Sequence, residues 1–400
     1  MVCDEHSIDL LVKSSPGQMD RRAIRWSKVP FRGRALLLWM MLATSLLGNS
    51  CDAARGDCLA QDPVCNPLLA VLAWQPFLVG VVGEFGTASC AVDHSQRIGS
   101  WRKTGTIGES CAWLRRIEHF QSQWVAVGAN SSGGCHAVYS ADSVHWTTSD
   151  CITGANTQLN ALTFGANLYV AGGGNAGGVL RTSSDGITWS APGTAPANDI
   201  SDLLYLNGAF YASTNAGVYS SISPLTTAFA IEGAAAAKYN GLGSGPDGRL
   251  LAVGTDTGGL GNAMVSVKIS GTWSSGSNLF ANRDDTSIPA IVTYDANSGY
   301  YIALSGITSG GFTGQDCLLD YSTDGLQWNG GYLLHPDCKT TGTDSTQLLT
   351  FYFDGLQYRI TGMNLSSSQI GFELRSSSIF GPWQIVPTGS QVITEMSLVQ

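Results

Sequence analysis

Short apolar stretches alternate with polar, glycine-rich segments along most of the chain. Stretches such as "WVAVGA", "LYVAGG" and "LLAVGT" end in small residues and lead into loops of Gly, Ser and Asn. Short apolar runs bounded by turn residues are typical of buried β-strands, and helical spacing of apolar residues is missing after the first 50 positions. The pattern therefore predicts an all-β fold.

A repeated unit organises these strands. An aromatic residue closes each unit, at Trp101, Trp146, Trp189, Phe229, Trp273, Trp328 and Trp383. Each closing aromatic follows three short strands and begins a fourth. Four strands per repeat of this length are typical of a propeller blade. We expect residues 67–400 to form a seven-bladed β-propeller of four-stranded antiparallel blades.

The third and fourth strands of a unit are joined by a Ser-x-Asp-Gly turn, clearest in "SSDGITW" and "STDGLQW". Gly accepts the positive φ of such a turn, while Ser and Asp can cap its backbone amides. We expect the following Trp to pack between neighbouring blades. The residues concerned are Ser183, Asp185, Gly186 and Trp189, and Ser322, Asp324, Gly325 and Trp328.

These two phrases resemble the Asp-box, or BNR repeat, and "SADSVHW" and "SSSIFGPW" are degenerate copies. The resemblance implies a β-propeller over nearly all of the chain after its leader. Asp-box propellers include sialidases and look similar to photosystem assembly factors. The resemblance therefore leaves both a catalytic and a scaffolding function open.

Two segments could supply the innermost strand of the first blade and so close the ring. The tail "QVITEMSLVQ" stands where other units place their first strand, and pairing it into the first blade would remove free sheet edges. Alternatively, "PLLAVLAW" supplies that inner strand. We favour the tail.

Residues 1–50 read as a signal peptide, with Met19 as a possible true start. The basic "RRAIRWSKVPFRGR" precedes the apolar "ALLLWMMLATSLLG", which is too short to span a bilayer comfortably. Cys51 follows directly, in a context similar to a relaxed, spirochaete-type lipoprotein signal. We expect lipidation at Cys51 and a tether over 51–66. The alternative is ordinary secretion with Cys51 in a disulfide.

Eight cysteines follow Cys51, an even number that suits an oxidising compartment. Their positions within the repeat bring the start of a third strand near the end of the next strand. The predicted disulfides are Cys90 with Cys111, Cys135 with Cys151, Cys317 with Cys338, and Cys58 with Cys65.

The distribution of charged residues limits the kinds of molecule that the protein can bind. Residues 1–50 hold seven Lys and Arg against four Asp and Glu, whereas the rest of the chain holds fourteen against twenty-six. Nucleic acid and anionic lipid headgroups require clustered basic residues. We therefore expect no nucleic-acid partner.

Catalytic motifs were sought and none was found. A sialidase site needs three arginines around a carboxylate, and "YRITG" is the closest arginine context, on a strand predicted to lie in the core. His, Ser and Asp form no motif of a nucleophile with its base, and Cys and His lack metal-ligand spacing. The sequence predicts no catalytic residue, no metal, no cofactor and no enzyme.

The remaining candidate is a binding surface. Loops between second and third strands should gather on one face, with scattered aromatics such as Phe85 and Phe312. We expect a lipid-anchored protein of a bacterial envelope, at the outer membrane or cell surface, that binds an unknown protein or glycan. An envelope assembly or scaffolding factor is the alternative, and a glycoside hydrolase-like enzyme is a third.

Overall fold

The computed structural model describes most of the chain after residue 77. The described residues are 78–83, 90–95, 101–107, 111–120, 122–149, 151, 154, 156–192, 195–234, 237–256, 262–280, 288–306, 317–338, 346–364, 370–389 and 392–398. Within these ranges no helix is long and apolar enough to cross a membrane. The predicted leader 1–50, the tether 51–66 and the residues Cys51, Cys58, Cys65, Phe85 and Phe312 lie outside them.

The described residues form strands almost throughout. In chain order the strands are β1 Leu78–Gly83, β2 Cys90–Ser95, β3 Trp101–Ile107, β4 Cys111–Phe120, β5 Gln123–Asn130, β6 Cys135–Ser140, β7 Thr147–Thr148, β8 Leu159–Gly165, β9 Leu168–Gly173, β10 Val179–Ser183, β11 Ile200–Leu206, β12 Ala209–Thr214, β13 Gly217–Ser221 and β14 Ala230–Ile231. They continue as β15 Ala237–Ser244, β16 Leu250–Asp256, β17 Ala263–Ile269, β18 Thr272–Ser275, β19 Ile288–Asp295, β20 Tyr300–Gly306, β21 Leu318–Ser322, β22 Asn329–Leu333, β23 Thr346–Phe353, β24 Tyr358–Asn364, β25 Ile370–Ser376, β26 Gln384–Gly389 and β27 Val392–Leu398. A short 3-10 helix covers Pro336–Cys338.

These strands form antiparallel sheets whose strands follow one another in chain order. Four-stranded sheets are β4 to β7, β11 to β14, β15 to β18, β19 to β22, β23 to β26, and β27 with β1 to β3. The first strand of each sheet packs against the first strand of the next, and β27 packs against both β23 and β4. Sheets arranged radially around an axis define a β-propeller.

The prediction of seven four-stranded blades is wrong in its count, because the described residues form six such blades. The unit that closes at Trp189 has only the three strands β8 to β10. Beyond its turn, a single bridge joins Thr182 and Ser190. Pro192 follows two residues later, and its missing N–H prevents a longer ladder.

The predicted closure by the C-terminal tail is confirmed. Strand β27 pairs antiparallel with β1, and Val81 lies opposite Glu395. The last strand thereby becomes the innermost strand of the first blade, and no free inner edge is left there.

The turns that contain Ser-x-Asp-Gly have the predicted geometry. The Ser183 hydroxyl accepts a hydrogen bond from the Gly186 amide at 2.8 Å, and the Asp185 carboxylate accepts from the Thr188 amide at 2.9 Å. Gly186 has a φ of 69°, which favours glycine. Ser322, Asp324 and Gly325 repeat the arrangement.

The aromatic residue after each turn packs between blades, as predicted. Trp189 is buried against Val125 and Val127 of the preceding blade. Trp328 is buried in the same way against Leu251 and Val253. The wedge-like packing of large rings buries apolar area that neither blade could bury alone.

Two of the predicted disulfides are confirmed, Cys90 with Cys111 and Cys135 with Cys151. The first links the third strand of one blade to the innermost strand of the next, rather than two strands of one hairpin, because Cys111 opens β4. Cys317 is also disulfide-bonded. Its pairing with Cys338 stays a prediction, since the Cys338 side chain lies outside the described residues.

Candidate functional site

The innermost strands place charged side chains on the wall that faces the propeller axis. Three of these strands, β4, β11 and β27, contain a one-residue β-bulge. The residue directly after the bulge is Arg116 in β4, Asp202 in β11 and Glu395 in β27. Such bulges re-aim side chains and are common beside functional sites. Three separate blades therefore contribute to one group, which we call the channel cluster: Arg116, Glu118, Asp202 and Glu395.

Arg116 is the centre of this cluster. Its guanidinium lies 3.5 Å from the Asp202 carboxylate and 3.9 Å from the Glu395 carboxylate. The three side chains keep 22%, 16% and 24% of their surface exposed, so solvent or a ligand can reach them. Partly exposed ion pairs of this length contribute little to stability.

Hydrogen bonds from backbone amides hold the carboxylates of Asp202 and Glu395 in place. Glu395 accepts a hydrogen bond from the Ile117 amide, and Asp202 accepts one from the Leu242 amide at 2.9 Å. Both bonds connect different blades, because Ile117 lies in β4 and Leu242 lies in β15. The cluster is held in place by the scaffold before any ligand arrives.

Two carboxyl groups of the cluster have pKa values near neutrality. Burial, and to a smaller extent the neighbouring Glu395, raise the pKa of Glu118 to about 8. Burial also raises the pKa of Glu395 to about 7, although Arg116 and the Ile117 amide act in the opposite direction. Carboxyl groups with such pKa values can donate or accept protons at physiological pH.

Arg115 precedes Arg116 in β4, but its neighbours are uncharged side chains and not carboxylates. Its guanidinium donates to the Asn160 side-chain oxygen at 3.2 Å and lies 5.6 Å from the centre of the Trp113 ring. Burial and the adjacent Arg116 lower the pKa of Arg115 to about 10. Among the described residues it makes no ion pair.

The sequence analysis singled out none of these residues. Their only local signal is polar residues within predicted innermost strands, as in "WLRRIEH" and "ISDLL". The arginine it did weigh, Arg359, is confirmed as a core residue: it is fully buried with Asp354 and Glu373. His145 pairs with Asp142 in a turn, and His136 is buried in β6. No group of three potential metal-binding side chains occurs among the described residues.

No protein-family model matches this chain, and no curated protein does. Solved structures do resemble it. A periplasmic gluconolactonase from Pseudomonas aeruginosa has 13% identity and a TM-score of 0.56, covering 81% of this chain and 99% of its own. A protein provisionally described as a 6-phosphogluconolactonase, from Bacteroides uniformis, has 9% identity and a TM-score of 0.55, covering 81% and 100%.

A third similar structure is YCF48 bound to a D1 peptide, with 14% identity and a TM-score of 0.48, covering 77% of this chain and 84% of that one. Identities this low establish the shared β-propeller fold alone.

These comparisons correct the prediction that the chain is not an enzyme. That prediction rested on the missing sialidase residues and on the lack of a nucleophile–base motif and of metal-ligand spacing. Propellers of similar shape and length nevertheless include a gluconolactonase. The absence of one known set of catalytic residues therefore does not exclude catalysis on this fold.

Proposed function

We propose that the protein binds a small polar ligand in its central channel, at the cluster of Arg116, Glu118, Asp202 and Glu395. The observation that carries this proposal is the convergence of one guanidinium and three carboxyl groups from three blades on a partly exposed wall. A pocket that gathers polar groups with shifted pKa values is the usual form of a small-molecule site.

A second charged group in the same protein provides an internal comparison. Arg359, Asp354 and Glu373 form a network in which all three side chains are 0% exposed. Arg375 also pairs with Glu373, so that two arginines and two carboxylates balance inside one blade. In the channel cluster, by contrast, the side chains of Arg116, Asp202 and Glu395 are 16–24% exposed, as a site that exchanges ligand with solvent requires.

For the ligand we propose a sugar acid or sugar lactone. The similarity to a gluconolactonase over nearly its whole length supports this class. So does the chemistry of the wall, because hydroxyl-rich ligands need both donors and acceptors, which Arg116 and the carboxyl groups supply.

Hydrolysis of such a lactone is a second candidate, and the pKa values of Glu118 and Glu395 favour it. In this proposal ionised Glu395 takes a proton from water while the water oxygen attacks the lactone carbonyl. Protonated Glu118 then gives a proton to the departing ring oxygen, and Arg116 stabilises the oxyanion. The product is the open-chain hydroxy acid.

We further propose that the ring has seven sectors, with β8 to β10 as a blade that lacks its fourth strand. The closed succession of first strands around the axis supports this count. Membership of the Asp-box group, export, lipidation at Cys51 and attachment to a bacterial envelope also stay proposals, as do adhesion to a protein or glycan and scaffolding. The disulfides give modest support to export.

Calorimetric titration with gluconate and glucono-1,5-lactone tests the channel site. We expect binding to the wild-type protein and a loss of roughly tenfold or more in R116Q, because a hydrogen-bonded charge is removed. R249Q is the matched control, since Arg249 pairs with Asp247 in the β15–β16 turn. Equal binding by all three proteins would contradict the channel site.

Lactone turnover tests the second candidate separately. We expect release of acid above the spontaneous rate in the wild-type protein, and a loss in E395Q that exceeds its loss of lactone binding. Binding without turnover would exclude hydrolysis and leave the ligand site in place.

A further inference from the structure

Arg115, next to Arg116 of the channel cluster, is a cation that pairs with no acidic side chain in the described ranges. Of its neighbours, Asn160 is neutral and Trp113 offers a ring face. Arg116, the next residue, carries the same charge. Among the described residues the carboxylates Asp202 and Glu395 approach Arg116 instead. A half-buried guanidinium whose charge is not compensated is unusual in a folded protein.

The charge balance of the wall favours an anion. The wall carries two guanidinium groups, Arg115 and Arg116, and Arg116 pairs with Asp202. Its other carboxyl groups have raised pKa values, about 7 for Glu395 and about 8 for Glu118. At neutral pH Glu118 is therefore mainly protonated and Glu395 is about half protonated. The Tyr169 hydroxyl stays neutral, because burial and, to a smaller extent, the negative charge of Glu118 raise its pKa to about 12. The raised pKa values of Glu118 and Glu395 therefore reduce the negative charge that stands against the two arginines, although the chain as a whole carries −9.

The local geometry fits a carboxylate. An arginine presents its donors as a planar fork that matches the two oxygens of a carboxylate. Within the described part of the chain, Asn160 is the one side chain that accepts a hydrogen bond from these donors. Asn160 is in turn held by a bond of 3.3 Å from its side-chain nitrogen to the Ile200 carbonyl, so Arg115 has a fixed support. Trp113, two residues away on the same strand, can pack against the carbon skeleton of a sugar.

We propose that Arg115, supported by Asn160 and flanked by Trp113, binds the carboxylate of a sugar acid whose hydroxyl groups reach the channel cluster. This inference rests on the proposed channel function and narrows its ligand to the acid. An anion here would also reduce the repulsion between Arg115 and Arg116.

Gluconate and sorbitol form a matched pair of probes, because they differ only in a carboxylate against a hydroxymethyl group. We expect calorimetry at low salt to give roughly ten- to a hundredfold tighter binding of gluconate, as for a charged hydrogen bond. In R115Q this preference falls to about threefold or less, because gluconate binding weakens much more than sorbitol binding. R115K keeps the charge but not the fork, and we expect an intermediate preference.

The variant N160D gives the most specific test of carboxylate binding by Arg115. It places a carboxylate of the same shape beside Arg115, so the protein supplies internally the anion that the ligand would bring. We expect a loss of gluconate preference as large as in R115Q, together with a lower melting temperature, because an aspartate cannot donate to the Ile200 carbonyl as Asn160 does. A merely structural Arg115 would not distinguish gluconate from sorbitol in any of these variants.

Two outcomes would overturn the inference, and they are distinguishable. If gluconate and sorbitol bind the wild-type protein equally, or R115Q and N160D weaken both equally, Arg115 is not a carboxylate subsite and the channel function stands. If gluconate, sorbitol and glucono-1,5-lactone all fail to bind at millimolar concentration, the channel function fails and the subsite with it.

Discussion

The carboxylate of Glu395, near the end of the chain, accepts a hydrogen bond from the backbone amide of Ile117 in the second blade. The strand that carries Glu395 also closes the ring by pairing with β1. Closure of the propeller and assembly of the channel cluster therefore depend on the same strand.

Substitution of Arg359 by Gln should cost much more stability than the same substitution of Arg116. R359Q removes the arginine that pairs with buried Asp354 and one of the two arginines that pair with buried Glu373, and we expect it to lower the free energy of unfolding by about 3–5 kcal/mol. R116Q affects partly exposed ion pairs and should cost about 1 kcal/mol or less. Urea unfolding of both variants measures the difference. A cost for R116Q as large as that for R359Q would mean that the channel cluster is structural.

Stability should fall as pH rises from about 5 to 8. Burial raises the pKa of Glu118 to about 8 and that of Glu395 to about 7, from 4.5 in an unperturbed chain. The folded protein therefore holds these protons more tightly than the unfolded one. The resulting stability is full below pH 4.5 and is lost as pH rises through the folded values. Urea unfolding between pH 5 and 8 measures this slope.

The variant E118Q should flatten that slope and be more stable than the wild type at pH 8. D324N is the control. Burial raises the pKa of Asp324, but the Gln327 and Leu326 amides outweigh it and the pKa is lowered. Asp324 therefore titrates below this window, and D324N should leave the slope unchanged. An equal slope in E118Q and the wild type would contradict the assignment to Glu118.

Ligand binding should share this pH dependence. Between pH 6 and 9 Glu395 and Glu118 ionise, so the wall gains negative charge and gluconate should bind at least about tenfold more weakly. Sorbitol binding should change much less. Titrations at both pH values give the comparison, and a gluconate affinity that rises with pH would be the opposite of what this wall predicts.

Two turn glycines separate the energetic cost of a positive φ from the cost of a steric collision with the neighbouring blade. Gly186 and Gly208 both have positive φ, 69° and 84°. A Cβ at Gly186 would collide with Val125 of the neighbouring blade, whereas one at Gly208 would meet no atom within 4 Å. We expect about 1 kcal/mol for G208A and about 2–3 kcal/mol for G186A. Equal costs would argue against close blade packing at the Asp-Gly turn.

Local chemistry made most of the fold predictable from the sequence. The turns at Ser183 and Ser322 and the wedges of Trp189 and Trp328 depend on residues a few positions apart. The missing fourth strand of the third unit has a local cause as well, in Pro192, but the regular spacing of the aromatic residues concealed it.

The channel cluster could not be predicted in the same way. Arg116, Asp202 and Glu395 come from strands that are distant along the chain, and they meet only after the ring closes. Their register also depends on one-residue bulges, which no residue pattern marked. The polar residues on innermost strands were visible in the sequence, but their convergence is a property of the closed ring.

The position of bound gluconate in a crystal structure of the complex tests the central claim most directly. The account predicts a single molecule on the channel wall, with its carboxylate at hydrogen-bond distance from the Arg115 guanidinium and its hydroxyl groups within reach of Arg116, Asp202 and Glu395. Gluconate bound only on the outer surface, with the channel wall unoccupied, would contradict it.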